Sequence, residues 1–219
     1  MKIIQKLDQY DARNRFFKSL SHAHRILELG CNTGSNCETI HTLYPQAEIH
    51  GVDIMPENEI APFIHYKYVN LEKQELPYED GYFDAILIIH VLEHVSNAYL
   101  LCKEIHRIMK PGARIYVEVP NWTTMFVPSI GISREQHDVF NFFDDPSHQK
   151  PWSKQGLFEF VSFKGKYTIE KLGNRRNWCK IPIDLLKIFK GCITQNRLLV
   201  TQPFWNVFGW CIYAIGVKM

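Results

Sequence analysis

Short apolar runs alternate with longer amphipathic stretches along most of the chain, and this rhythm constrains the fold more than any other feature. Apolar runs predict five strands, at 25–29, 48–53, 66–70, 83–90 and 114–119. The stretches between them include 35–43 and 96–109, where apolar residues recur at helical spacing. Strands that alternate with helices are typical of an α/β fold, in which crossover helices cover both faces of a mostly parallel sheet.

Further elements are expected before and after these five strands. A leading helix is expected at 8–20, and the segment 121–152 is irregular and rich in aromatic residues. A helix at 154–163 follows, then a strand at 167–172 and a last apolar strand at 208–217. A chain of 219 residues with seven strands fits one domain with a substantial core.

The composition is that of an ordinary globular protein. Hydrophobic residues make up 46% of the chain and charged residues 22%. No run of 18 apolar residues occurs, and the first residues carry no signal-peptide pattern, so we expect neither a membrane-spanning helix nor export. The six cysteines form no Cys-x-x-Cys pair. We therefore expect no disulfide framework, no metal and a cytoplasmic location.

The charge is unevenly distributed along the chain. Residues 1–149 hold 13 basic against 20 acidic side chains, whereas residues 150–219 hold 12 against 3. Such a split indicates that the C-terminal third meets an anionic partner, or else that it presents a solvated basic face.

The first strand leads into a glycine turn that suits a small cationic ligand. Glu28 lies in the strand, Gly30 opens the turn, Gly34 precedes the next helix, and Asp53 ends the second strand. A carboxylate such as Glu28 suits a ligand with a positively charged amino group or sulfonium. Glycine lets the backbone approach a ligand closely, and a carboxylate at the end of the second strand is placed to bind ribose hydroxyls.

The glycine register argues against a nicotinamide or flavin dinucleotide. Read from Gly30, the Gly-x-Gly-x-x-Gly pattern has Asn32 at its second glycine and Ser35 at its third. Those glycines let pyrophosphate approach the backbone and let helix and strand pack tightly. A cofactor without phosphate needs neither.

Four segments, in this order, carry a known pattern: ILELGCNTGSN (26–36), GVDIMP (51–56), LPYEDGYFDAILIIHVLEHV (76–95) and EIHRIMKPGARIYVEVPN (104–121). Together they resemble the class I S-adenosylmethionine-dependent methyltransferases over roughly residues 25–121. Within that family, the chain most resembles the subgroup that acts on small molecules, glycans and lipids, including methionine-biosynthesis W-like proteins. The resemblance implies a doubly wound, Rossmann-like sheet of seven mostly parallel strands with an antiparallel last strand.

The resemblance also implies a cofactor, S-adenosylmethionine, with S-adenosylhomocysteine as product, and assigns residues to it by position. Glu28, Gly30 and Gly34 would line the methionine part, with Cys31 and Asn32 in the same turn. Asp53 and the adjacent Ile54 would bind the ribose, Asn70 and Leu71 the adenine, and His90 would face the sulfonium. Relatives commonly carry Asp where Asn70 stands, and an amide oxygen can still accept from the adenine amino group. Tyr10, Arg13 and Arg15 precede the first strand, in a region that closes over the cofactor in similar enzymes.

Within one methyltransferase domain spanning 1–219, four parts are expected. They are a helical cap (1–24), the cofactor-binding core (25–121), a substrate or lid segment (122–153) and an insertion before the last strand (175–206). The lid segment holds six aromatic residues that either cover an acceptor pocket or pack on the sheet edge: Trp122, Phe126, Phe140, Phe142, Phe143 and Trp152.

Candidate catalytic residues lie in the same segment. A hydroxyl acceptor benefits from a base whose pKa is near neutral, and histidine is the usual one. His148, in DPSHQKPWS (145–153), and His137 are the candidates, although loop histidines are often bystanders. For His94 we expect a structural role that ties strand to helix.

The insertion contains an amphipathic stretch, IPIDLLKIFKGCI (181–193), with lysines between its apolar residues. A basic amphipathic helix can lie on an anionic membrane surface. The alternative is a helix that packs on its own domain or on a second copy in a homodimer.

The sequence therefore predicts an enzyme that methylates a hydroxyl on a small molecule, glycan or lipid-linked intermediate. One alternative is an accessory protein that binds S-adenosylmethionine without turnover. Another is a nucleic-acid methyltransferase, which is disfavoured because no Asn-Pro-Pro-Tyr-type motif follows the fourth strand and no RNA-binding module is present.

Overall fold

The computed structural model describes residues 7–73, 75–129 and 139–219. Its centre is one sheet of seven strands: β1 (Arg25–Leu29), β2 (Glu48–Asp53), β3 (His65–Tyr68), β4 (Phe83–Ile89), β5 (Met109–Pro120), β6 (Tyr167–Asn174) and β7 (Cys211–Lys218). The strand order is β3-β2-β1-β4-β5-β7-β6. The first five strands pair in parallel, and β7 runs antiparallel to both of its neighbours. The predicted fold class is confirmed.

The strand register brings several chain turns to one edge of the sheet. Leu29, the last residue of β1, pairs with Val52 on one side and with Ile88 on the other. The carboxyl ends of β1, β2 and β4 therefore lie side by side. On the far side of the sheet, Pro120 at the end of β5 pairs with Cys211 at the start of β7. In open α/β sheets, ligands bind beyond this carboxyl edge.

Helices cover both faces of the sheet. They are α1 (Ala12–Lys18), α2 (Ser35–Leu43), α3 (Ala98–Ile108), α4 (Lys154–Ser162), α5 (Ile181–Thr194) and α6 (Leu198–Phe208). One core joins α3 and α4 to one face through buried residues such as Ile105 and Leu157. A second core joins α1 and α2 to the other face through Phe16 and Ile40. Among the described residues, none of the helices has the length and apolar character needed to cross a membrane.

Two predicted boundaries, one at the leading helix and one at the fifth strand, differ from the structure. The leading helix is shorter than predicted, because Asp11 caps its N-terminus by accepting from the backbone N–H groups of Arg13 and Asn14. The fifth strand is longer than predicted and begins at Met109, directly after α3. Met109 pairs with Phe83 before an irregularity in the register, so the Pro-Gly pair at 111–112 lies inside the strand pairing instead of outside it.

The predicted start of the last strand is wrong. Phe208 is the final residue of helix α6, and the strand begins at Cys211 after Gly209 reverses the backbone with φ of 64°. The insertion thus contains a second helix that the sequence did not reveal. The predicted helix at 181–193 is present as α5.

Candidate functional site

The turn after β1 depends on its two glycines for conformational and packing reasons. Gly30 has φ of 69° and Gly34 has φ of 98°, both in the left-handed region that favours glycine. A Cβ on Gly30 would lie 2.4 Å from a methyl of Val91, and one on Gly34 would lie 2.4 Å from a methyl of Ile64. The glycines are therefore needed by the protein's own backbone, and their expected role beside the cofactor stays a prediction.

Asp53 is held in a fixed orientation at the end of β2. One carboxylate oxygen accepts from the backbone N–H of Asn32 at 2.8 Å, and the other accepts from that of Ile54 at 2.7 Å. Each oxygen keeps further acceptor capacity. The side chain is half-buried at the carboxyl edge. Because it binds backbone from both the turn after β1 and the end of β2, these two segments share one polar centre. Such a carboxylate suits a pair of hydroxyl groups.

Glu28 is a buried carboxyl beside the glycine turn. It is 2% exposed and accepts from the Asn36 side chain at 2.7 Å and from the Cys37 thiol at 3.1 Å. Burial raises the pKa of Glu28 to about 7, against the two hydrogen bonds and Arg13. A cation bound beside Glu28 would favour its ionised form, which fits the amino group of an amino-acid ligand.

The other residues assigned to the cofactor differ in how far their side chains are exposed. Cys31 is buried, and burial raises the pKa of its thiol to about 12, so it stays protonated at neutral pH. Ile54 is 60% exposed and Tyr10 is 49% exposed. Asn70 accepts from the backbone N–H of Glu72, and Leu71 packs on the core. Cys31, Ile54, Asn70 and Leu71 follow the ends of β1, β2 and β3 at the carboxyl edge, and the expected roles of these residues and of Tyr10 beside the cofactor stay predictions.

His90 lies at the tip of β4 in an unusual backbone conformation, with φ of 56°. One ring nitrogen is 3.1 Å from Glu93, and the other is 3.4 Å from Glu118 and 3.7 Å from the Cys211 sulfur. Burial opposes the charged form, but Cys211, Glu118 and Glu93 together raise the pKa of His90 well above its usual value. The ring is thus engaged by protein groups, and its expected contact with the sulfonium stays a prediction.

A buried ion network beside His90 was not predicted. Glu118, in β5, is fully buried and binds Arg13 at 2.5 Å and Arg175 at 3.2 Å. Its other oxygen accepts from Tyr116 at 2.6 Å. Burial alone would raise the pKa of Glu118, but Arg13 and Arg175 hold it well below its usual range. A single acid inside the apolar run 114–119 was the signal in the sequence.

The loop that carries His148 lies against the end of β4. The backbone N–H groups of Gln149 and Lys150 both donate to the carbonyl of Glu93. His148 donates its Nδ1–H to the carbonyl of Phe142 at 2.6 Å, because a carbonyl can only accept. Nε2 is therefore the nitrogen with the free lone pair, and it lies 3.8 Å from Asp145. Burial lowers the pKa of His148, so the ring is neutral at physiological pH.

Two histidines from the sequence analysis complete this part of the site. His94 binds the backbone carbonyl of Ser147 through Nδ1, and its own carbonyl accepts from Gln149, so it ties the segment after β4 to the loop that carries His148 instead of tying a strand to a helix. His137, the second candidate base, lies outside the described residues.

Two groups of three side chains have metal-type donor atoms within 4.8 Å of one another in the described part of the chain: His90, Glu118 and Cys211, and Glu93, His94 and His148. In the first group, Arg13 and Arg175 already neutralise the carboxylate, which disfavours a cation. The expectation of a metal-free chain stays a prediction.

The aromatic residues of the lid segment divide into two sets. Phe142 and Trp152 are buried and pack in the domain. Trp122, Phe126 and Phe143 are exposed by 44%, 75% and 61%. Phe140 is half-buried. The burial of Phe142 and Trp152 fits packing against the domain, whereas a lid over an acceptor pocket stays a prediction for the three exposed side chains.

Sequence comparison shows which family and which curated proteins the chain is similar to. The family model described as a methyltransferase domain matches residues 4–159. Methyltransferase str2 of Strobilurus tenacellus is 28% identical over 109 residues, which cover 49% of this chain and 39% of that protein. The ubiquinone biosynthesis O-methyltransferase of Maricaulis maris is 30% identical over 108 residues, 46% of this chain and 42% of that protein. The chain thus spans about two fifths of these curated relatives.

Solved structures resemble the chain over nearly its full length. An S-adenosylmethionine-dependent methyltransferase from Mesorhizobium loti matches with a TM-score of 0.63 at 16% identity, covering 94% of this chain and 98% of that one. Another, from Archaeoglobus fulgidus, matches with a TM-score of 0.60 at 19% identity, covering 100% of each chain. At these identities the likeness establishes the fold.

Proposed function

The chain belongs to the class I family of S-adenosylmethionine-dependent methyltransferases, and from that membership we propose that it transfers a methyl group to a hydroxyl oxygen of a small molecule, glycan or lipid-linked acceptor. The observation that carries the proposal is the meeting of Glu28, Asp53 and the His148 loop at the carboxyl ends of adjacent strands in a chain of this family. Ligands of open α/β sheets bind at that edge.

The donor side of the proposed site uses two carboxylates of different character. When bound, S-adenosylmethionine supplies a methyl group on a positively charged sulfur, activated for displacement. Asp53, oriented by two backbone N–H groups, would accept hydrogen bonds from the ribose hydroxyls. Glu28 would pair with the amino group of the methionine part. The two residues hold the donor in one orientation, and orientation of donor and acceptor can supply much of the rate acceleration.

The acceptor side of the proposed site rests on His148. Its neutral ring has Nδ1–H fixed by the Phe142 carbonyl, so Nε2 can take a proton. A hydroxyl that loses its proton to Nε2 becomes a better nucleophile as the new bond forms. The side chain is only 5% exposed, so an acceptor has to displace part of the surrounding loop to reach it. A neutral base with a lowered pKa favours a hydroxyl acceptor over an amine, which needs less help.

Binding of S-adenosylhomocysteine, measured by calorimetry, tests the donor site. We expect an affinity in about the micromolar range, and Asp53→Ala should weaken it by about 1–3 kcal/mol through loss of hydrogen bonds to a charged group. Glu59→Ala removes an exposed acid from the neighbouring turn and serves as the matched control, with no change expected. Tight binding of NADH without affinity for S-adenosylhomocysteine would refute the proposal.

Turnover separates the remaining alternatives. Transfer of a labelled methyl group to members of a panel of hydroxyl-bearing small molecules, glycans and isoprenoid lipids is the expected result. Labelling of RNA or DNA in the same panel would favour a nucleic-acid methyltransferase. Binding of S-adenosylhomocysteine with no labelling of any acceptor would favour an accessory protein without turnover.

A further inference from the structure

Helix α5 presents its apolar side to solvent. Leu186, Phe189 and Ile193 are exposed by 70%, 67% and 68%, and Leu185 by 51%. At 100° per residue these four positions fall within one arc of the helix. A surface helix normally buries such an arc. The apolar face of α5, formed by these four residues, is exposed instead.

The opposite side of α5 fixes the helix in this orientation. Asp184 is 2% exposed and accepts from the side chain of Asn206 at 2.6 Å. Gly191 lies so close to α6 that a Cβ there would be 2.6 Å from a methyl of Val200. The polar and small residues of α5 thus pack on the domain, and the helix cannot turn its apolar face inward without breaking these contacts.

Exposed basic residues lie beside the apolar face. Lys190, within α5, and Arg197, just after it, are both exposed, and at 100° per residue Lys190 falls at the border of the apolar arc. Of the other basic residues between 175 and 206, Arg175 is held by Glu118 and Asp11, and Lys180 is held by Asp8. Asp184 is the single acid of this segment. Asp184 is buried and already lies near Lys187, at 3.8 Å. Trp178, at the start of the helix, is 70% exposed, with Arg176 5.5 Å from its ring centre. Apolar, aromatic and basic groups in this arrangement suit the interface of an anionic membrane.

We propose that the apolar face of α5 docks into the headgroup region of an anionic lipid bilayer. Charge complementarity selects this occupant. A second copy of the chain, related by a two-fold axis, would bring the same basic residues against each other. Lipid headgroups instead supply the missing negative charge, while the acyl region accepts Leu186, Phe189 and Ile193.

The docked helix lies at the functional edge of the sheet. The chain leaves β6 at Asn174, which pairs with Ile212 near the start of β7, and β7 pairs at the same end with the end of β5. Helices α5 and α6 therefore extend from the carboxyl edge, where Asp53 and His148 lie. Docking would turn this edge toward the bilayer, where a lipid-linked acceptor would be found. That last step rests on the proposed function, whereas the docking itself does not.

Co-sedimentation of the full chain with vesicles tests the docking. We expect binding to vesicles of phosphatidylcholine mixed with phosphatidylglycerol, weak binding to phosphatidylcholine alone, and a decrease as salt rises, because exposed charges are screened. Leu186→Asn with Phe189→Asn should lower the partition coefficient roughly tenfold or more. Lys190→Glu with Arg197→Glu should lower it about tenfold on anionic vesicles only. Lys187 is left intact because of its proximity to Asp184.

A matched pair on another helix serves as control. Leu100→Asn with Lys103→Glu changes an exposed leucine and an exposed lysine of α3 and should leave vesicle binding unchanged. Circular dichroism and binding of S-adenosylhomocysteine, measured on every variant, separate loss of docking from loss of fold or of donor binding. Absence of vesicle binding, or equal binding to neutral and anionic vesicles, would overturn the proposal. So would a dimer in sedimentation velocity that the α5 variants dissociate, without vesicle binding by the wild type.

Discussion

At the scale of single residues, the ionisation of Glu28 gives the proposed donor site a built-in pH dependence. Burial raises the pKa of this carboxyl to about 7, so the free protein holds it partly protonated at neutral pH. An ammonium group pairs with the carboxylate and not with the neutral acid. Binding of a cationic amino-acid ligand therefore has to release this proton at and below neutral pH.

We expect the affinity for S-adenosylhomocysteine to fall as pH is lowered through 7, by up to about tenfold per pH unit. Calorimetry between mildly alkaline and acid pH measures this, and proton release appears as a dependence of the heat on the buffer. Glu28→Gln should bind weakly at every pH and should lose the dependence. A wild-type affinity that is flat across this range would contradict the role of Glu28.

The same shift affects stability in the opposite direction. The folded pKa of Glu28 lies above the ordinary value of 4.5. The contribution of this carboxyl to the free energy of unfolding is therefore fully present below pH 4.5 and is lost as pH rises through about 7. The free Glu28→Gln protein should thus be more stable than the wild type at pH 8, by up to about 3 kcal/mol. This gain would distinguish lost binding from lost folding.

His148 gives the second prediction at this scale. As a general base it should contribute about 100-fold or more to turnover, so His148→Ala should lower kcat by that factor with no change in cofactor affinity. His148→Asn is the sharper variant, since its amide can still donate to the Phe142 carbonyl but cannot serve as a base. His41→Ala, which changes a histidine that stacks on Phe63, is the control. Normal turnover in His148→Asn would leave His148 a structural role only.

The residues found from sequence and those missed differ in the kind of information they require. The positions of Glu28 and Asp53 near the ends of β1 and β2 could be predicted because apolar runs and glycine turns locate strand ends within a few residues, and their roles beside a cofactor stay predictions. The partners of Glu118 lie 105 positions away at Arg13 and 57 positions away at Arg175. Such pairing depends on the strand order of the sheet, which places β5 beside β7 and so brings the insertion next to the first helix.

At the scale of elements, periodicity located α5 to within a residue but could not say what its apolar face meets. Spacing records which residues share a face, whereas the partner of that face depends on the tertiary structure. Helix α6 was missed because its residues 198–208 are apolar on most sides, and the end of the run was assigned to the next strand. The fifth strand extends to Met109 because Met109 pairs with Phe83, while Pro111 and Gly112, the latter with φ of 78°, lie in the irregularity before the next pair, Ala85 with Arg114.

At the scale of the whole molecule, Glu118 joins parts of the chain that are far apart in sequence. Arg13 comes from the first helix and Arg175 from the start of the insertion, and Asp11 binds Arg175 at 3.0 Å. The acidic first two thirds and the basic last third of the chain therefore meet at one buried carboxylate near the carboxyl end of β5. This contact orients both the cap and the insertion with respect to the carboxyl edge.

We expect Glu118→Gln to lower the free energy of unfolding by about 3 kcal/mol, because it leaves two guanidinium groups without their shared carboxylate. For a chain of this size the melting temperature should drop by roughly 6–12 °C in a thermal scan. Glu170→Gln, which breaks the exposed pair with Arg114, should cost about 1 kcal/mol or less.

Since Arg13 and Arg175 hold the folded pKa of Glu118 well below its usual range, the network stabilises the protein above about pH 4.5, and this stabilisation is lost as pH falls through that folded pKa. The difference between wild type and Glu118→Gln should therefore be constant from pH 8 to about 5 and should shrink in more acid solution. Equal melting temperatures for the two proteins at pH 7 would mean that the network does not hold the cap and the insertion in place.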